Sequence, residues 1–190
     1  MAIGTLLFLG ALAVVALYAV LIYNGLVGLK HNVAKAWANI DVLLKQRHDE
    51  LPKLVEACRQ YRQFEQQTLQ AVIEARSRVQ TAREAQDVGA LGRAENSLRS
   101  GLGQLFAVAE AYPELKTNDN FMQLQQRITG LENAIADRRE LYNEAVNINN
   151  VRVEQFPDAI VARAFSFEAK PLLEFSTAEK ADVDLKQLFS

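Results

Sequence analysis

Cysteine is all but absent: Cys58 stands alone in 190 residues. The chain therefore forms no disulfide with itself, and a reducing compartment is its natural setting. Histidine is nearly as scarce, with only His31 and His48. Neither belongs to a Glu-x-x-His pair, which a di-iron helical bundle needs twice together with two further glutamates. A glycine-rich phosphate loop is missing as well, because Gly101-Leu102-Gly103 lies inside a helical pattern and lacks the lysine that a P-loop requires. Charge of one sign is also lacking: 21 Lys and Arg against 23 Asp and Glu leave a net charge of -2. That balance argues against a nucleic-acid binder driven by phosphate neutralisation. The reading is a chain with no catalytic residue, no metal and no cofactor, and so no enzyme.

The most informative absence lies at the N-terminus. Met1 to Leu29 carry no charged side chain, and Lys30 is the first. At ~1.5 Å of helical rise per residue, the ~20 residues from Ile3 to Ile22 match the ~30 Å hydrocarbon core of a bilayer. A cleaved signal peptide is the competing reading. It would carry Lys or Arg before its apolar core and a small-x-small cleavage site after it, and neither is visible. Residues 1–29 are thus expected to be a retained transmembrane anchor. Lys30, Lys35, Lys45 and Arg47 follow it, and such flanking cations stay on the cytoplasmic side. The expected topology is N-terminus out, with the remainder cytoplasmic.

After Lys30 apolar residues recur at helical spacing, with almost no strand-like alternation. Val33, Trp37, Ile40, Leu44 and Leu51 form a first stripe, and Trp37 is expected inside the bundle. Pro52 removes one backbone donor, so a kink or short break is expected near Glu50-Leu51. A second stripe runs through Leu54, Cys58, Tyr61, Leu69, Val72 and Val79. Glu84-Ala85-Gln86-Asp87 turns the chain, with Asp87 as N-cap of a third helix. That helix carries Leu91, Leu98, Leu102, Leu105, Ala109 and Tyr112 and ends at Pro113. Thr117 or Asn118 caps a fourth, whose seam of Phe121, Leu124, Ile128, Leu131, Ile135, Arg138, Tyr142, Ala145 and Asn149 alternates steps of three and four. Such a seam suits bundle or coiled-coil packing. The fold class is all-α: an N-terminal transmembrane helix, then a long-helix antiparallel bundle, four-helix-bundle-like, over residues 30–155. Residues 156–190 form an apolar and acidic tail with aromatics, including Phe165, Phe167 and Phe175, clustered around Pro171. The tail docks on its own bundle or a neighbouring subunit, inserts into the membrane surface, or is disordered.

Several residues stand out as structural or interaction candidates. Glu65 and Arg138 fall on apolar seams, where an unpaired charge is costly. Two readings stand side by side: both side chains snorkel to solvent, or Arg138 meets Glu65 or Glu95 in a buried polar layer that sets helix register. Cys58 lies on an apolar stripe and reads as a core thiol. Ser97, Ser100, Gly101 and Gly103 thin out one face of the third helix, so that a second backbone can approach from within the bundle or from another subunit.

Taken together, Tyr23-Asn24-Gly25-Leu26-Val27, the block Ala36-Trp37-Ala38-Asn39-Ile40-Asp41 to Lys45, Arg47 and Leu51-Pro52-Lys53-Leu54-Val55-Glu56 carry a resemblance. Ala75-Arg76, Glu95-Asn96-Ser97-Leu98, Val108 to Lys116 with its Tyr112-Pro113 pair, Asn120-Phe121, Tyr142-Asn143 and Phe156-Pro157 extend it. The chain resembles the LemA family, a widespread bacterial group with one membrane helix and a cytoplasmic helical bundle. The resemblance covers roughly residues 20 to 168, and Cys58 departs from its pattern. It implies a fold, a topology and a bacterial inner membrane, but no enzymatic role. The function expected is a non-enzymatic homo-oligomeric scaffold at the inner face of the membrane, with the bilayer and other copies of itself as partners. The alternative is a signalling or quality-control adaptor that docks a specific protein. The tail residues Phe165 and Phe167, with the end of the fourth helix around Tyr142, are expected to help hold the oligomer together.

Overall fold

A computed structural model describes residues 2–61 and 64–174. Phe175 and the acidic stretch after it lie outside the described residues. Helix α1 runs Ala2–Arg59, α2 Gln66–Glu84, α3 Val88–Ala109, α4 Pro113–Lys116, α5 Asp119–Glu154 and α6 Asp158–Ala164. No strand occurs among the described residues, as the apolar spacing predicts.

The expected break at Pro52 does not occur, because α1 continues through it to Arg59. An interior proline leaves the carbonyl four residues earlier without its N–H, here that of His48. Arg76 of α2 supplies the missing donor: its Nε donates to the His48 carbonyl at 3.0 Å. Leu54 and Cys58 consequently belong to α1 rather than to the second helix. Two caps follow the sequence reading. Asp87 accepts from the Ala90 N–H at 2.8 Å, and Asn118 accepts from the Phe121 N–H at 3.1 Å. Pro113 opens the short helix α4 instead of closing α3, which stops at Ala109. Proline is favoured at a first helical position because its missing N–H is unpaired there in any case.

The chain divides into two compact units. One comprises residues 40–137 with Leu173 and Glu174, and it is a helical bundle. Side-chain pairs between α1 and α2 (Asp41 with Arg83, His48 with Arg76) and between α1 and α5 (Arg47 with Glu132, Glu50 with Arg127) set the helices antiparallel. Its core includes Ile40, Leu44, Leu54, Val72, Leu98, Leu105 and Phe121. Cys58 is fully buried, and burial pushes its thiol pKa up to about 12. At Gly101 an added Cβ would touch Val72 of α2 at 3.4 Å, so the close approach is made within the bundle. Gly103 faces open space.

The other unit holds residues up to 39 and 138–172. Here α6 packs on α1: Val161 and Ala162 bury Ile22 and Leu26, with Ala19, Val153 and Phe167 around them. N-terminal to this cluster the apolar side chains of α1, Leu6, Leu7, Phe8 and Leu17 among them, are exposed. That helix is long and apolar enough to cross a membrane. Along α5, Phe121, Ile128, Ile135, Tyr142 and Asn149 are buried at every seventh position. The intervening seam residues Leu124, Leu131 and Ala145 are half-buried, and Arg138 is exposed.

Candidate functional site

Three charged residues that interrupt apolar seams meet in the bundle unit. Arg47 falls between Leu44 and Leu51, Glu95 between Leu91 and Leu98, and Glu132 between Ile128 and Ile135, each at steps of three and four. These periodic positions turn all three inward. Arg47 is 0% exposed and donates through Nη2 to Glu95 and through Nη1 to Glu132. Arg99 Nε lies 3.8 Å from the other Glu132 oxygen, so two guanidinium groups face two carboxylates. Burial works against the charge on Arg47, but the carboxylates of Glu95 and Glu132 prevail and hold its pKa above the ordinary value. Burial also raises the pKa of Glu95, opposed by Arg47. The two-pronged geometry favours the ionised pair, because a guanidinium fork matches carboxylate oxygens.

A buried polar layer does form, but around Arg47, while Arg138 and Glu65, the charges singled out from the sequence, reach solvent. Glu65 also accepts from the Thr68 hydroxyl at 2.9 Å. Flanking the layer, Glu50 accepts from Lys53 at 3.0 Å and from Arg127 at 2.6 Å. Arg83 reaches Asp41 with Nη2 at 3.3 Å, and Arg76 Nη2 lies 2.6 Å from His48 Nε2. Burial, followed by the Arg76 and Arg83 charges, lowers the His48 pKa.

Sequence reasoning took Arg47 only as a flanking cation and part of the family resemblance, and passed over Glu132. The available signal was their position on a seam, the same signal that drew attention to Glu65 and Arg138. A groove of about 580 Å³ is lined by Phe106, Phe121, Met122, Gln125 and Gln126, with Glu110 and Lys116 paired at its edge. Among the described residues no group of three His, Cys, Asp or Glu side chains converges as a metal site.

In the other unit the side chains of α5 hold the tail as a strap. The Tyr142 hydroxyl donates to the Pro171 carbonyl at 3.2 Å. Asn150 donates to the Lys170 carbonyl at 2.9 Å and accepts from the Lys170 N–H at 2.8 Å, and Asn149 donates to the Glu168 carbonyl at 3.3 Å. Burial raises the Tyr142 pKa. Trp37 is half-buried rather than enclosed, edge-on to Tyr142 with ring centroids 5.6 Å apart. Tyr23 takes Phe165 at 4.8 Å and Phe167 at 5.7 Å, both edge-on. Tyr112, in the turn between α3 and α4, stacks on Phe64 at 5.5 Å.

The chain is similar to several known proteins. The model of the LemA family matches residues 36–186. Magnetosome protein MamQ 2 of Paramagnetospirillum magneticum is 23% identical across 98% of this chain and 78% of its own length. Protein LemA of Metamycoplasma hominis is 25% identical across 87% of this chain and 74% of its own length. Magnetosome protein MamQ of Magnetospirillum gryphiswaldense is 25% identical over a shorter stretch, 53% of this chain and 37% of its own.

Proposed function

The chain belongs to the LemA family, and from that membership we propose that it is a non-enzymatic, single-pass protein of the bacterial inner membrane. Its helical bundle lies on the cytoplasmic side, where it self-assembles into a scaffold. The observation that carries this reading is the change of surroundings along α1. Its first turns expose Leu6 to Leu21, whereas Ile40, Leu44, Leu51 and Leu54 of the same helix are buried. Exposed apolar residues of that density suit lipid and not water. The best-organised polar cluster, around Arg47, is bonded internally and joins helices rather than facing a groove. The relatives include both magnetosome proteins and a mycoplasma LemA protein, which favours a shared architecture over one shared chemical activity.

Self-association is supported by Leu141 and Ile148, exposed seven residues apart on one face of α5, and by Phe165 on the strap. Confinement to one plane and one orientation raises the effective concentration of every copy, so weak lateral contacts suffice for a cyclic assembly. The test is the mass of the detergent-extracted full chain. A monodisperse higher-order particle supports the scaffold, and Phe165→Ser, or truncation after Phe156, should shift it to smaller species with helicity retained. A monomer or dimer overturns self-assembly and favours the adaptor that docks a specific protein.

A further inference from the structure

Helix α6 and the end of α5 lie against the part of α1 that has no charges. Ala19 and Ile22 form the last turn of the ~30 Å that a bilayer core would occupy from Ile3, and Leu26 is one turn further. These are the residues that Val161 and Ala162 of α6 cover. The first charge of α1, Lys30, comes eight positions after Ile22, about 12 Å at the helical rise. A segment docked on Ala19 to Leu26 therefore has hydrocarbon on one side and headgroups on the other.

Its outward side chains fit that position. Phe156 is 78% exposed and Ile160 62% exposed, and neither belongs to the cluster that Val161 and Ala162 form with α1. The charge that α6 does bury, Asp158, is paired with Arg152. Arg163 is exposed on a stem long enough to reach the headgroup layer while its carbons stay in apolar surroundings. Beside this segment Tyr23, Phe165 and Phe167 form an aromatic group, a residue class enriched where a bilayer meets water.

We propose that the α5–α6 turn is a second membrane contact, a lipid-binding wedge in which Phe156 and Ile160 enter the boundary between headgroups and acyl chains. The occupant of this face is lipid, because the apolar surface of the span continues directly onto it. The proposal rests on reading α1 as the anchor, and the test separates the two.

The full chain is reconstituted in phosphatidylcholine vesicles with Trp37→Phe as background, which removes the only tryptophan and keeps a ring against Tyr142. Single tryptophans are then placed by Phe156→Trp, Ile160→Trp, Val15→Trp within the anchor and Met122→Trp on the bundle. Emission is compared between vesicles with brominated and ordinary acyl chains. Interfacial segments enter ~5–10 Å, so the tryptophans at 156 and 160 should be quenched by the brominated lipid. The one at 15 should be quenched as well, and the one at 122 should be unaffected. Quenching at 15 without quenching at 156 and 160 overturns the wedge and leaves the anchor standing. Blue-shifted but unquenched emission at 156 and 160 would assign this face to a second copy and also overturn the wedge. Absence of quenching at 15 removes the anchor reading and the wedge together.

Discussion

Arg47 is 0% exposed and paired with two carboxylates, Glu95 and Glu132, and its removal should be felt throughout the bundle unit. Taking away one partner of a buried pair leaves uncompensated charge and typically costs ~3–5 kcal/mol. Arg47→Ala should fall in that range in denaturant unfolding, because Glu95 and Glu132 are then left facing one another. Replacing the whole layer by apolar residues, with Arg47→Met, Glu95→Leu and Glu132→Leu together, should cost far less and can even stabilise. If the triple variant is as unstable as Arg47→Ala, the layer contributes net stability and not only register. His48 gives a pH dependence of known sign. Burial is the largest of the effects that hold its folded pKa below the ordinary imidazole value, so its contribution to stability is present above the unfolded pKa. That contribution is lost as the pH falls through the folded pKa. The Arg76 and Arg83 charges oppose protonation, while Asp49 and Glu84 assist it. Thermal stability should therefore drop on acidification from neutral pH, and His48→Gln should flatten the slope in that window.

Among the elements, α3 shows how a single glycine ties down a distant segment. A Cβ built on Gly92 would lie 2.1 Å from the Glu174 carbonyl oxygen, a backbone atom that cannot swing aside. Gly92→Ala must therefore displace the chain at Leu173 and Glu174, where Leu173 is fully buried. Two effects compete. Alanine improves the helix by up to ~1 kcal/mol, whereas exposing a buried leucine forfeits ~1.5–3 kcal/mol. The second should win, for a net loss of about 1 kcal/mol, with amide exchange near residue 173 accelerated and α3 itself still protected. Unchanged exchange there would mean that Glu174 does not pass over Gly92. The same element scale explains Pro52. An isolated helix would bend there, but Arg76 of a neighbouring helix supplies the hydrogen bond that proline withholds.

For the molecule as a whole, orientation is the property most directly open to experiment. Lys30, Lys35, Lys45 and Arg47 follow the apolar run, and no charged side chain precedes it. From this cation bias the bundle is expected on the cytoplasmic side. A reporter active only in the cytoplasm, fused after Ser190, should give signal. Signal from a reporter active only in the periplasm would reverse the topology, although the bundle and its charged layer would be unaffected.

Much of the architecture was legible in local pattern. The uncharged stretch to Leu29, the caps at Asp87 and Asn118 and the seven-residue line from Phe121 to Asn149 depend on neighbours within a turn or two of helix, which one-dimensional spacing records. Which seam charge becomes buried depends instead on how many helices cover it. Arg47 and Arg138 both sit at seam positions, yet only Arg47 lies where α1, α3 and α5 converge, with partners 48 and 85 positions away. The helix at Pro52 likewise survives through Arg76, 28 positions beyond the His48 carbonyl it serves. The strap lies along α5 because Tyr142, Asn149 and Asn150 reach its backbone. Spacing along the chain set helix faces, and only the tertiary structure decided which faces water reaches, because burial is a property of the assembled helices.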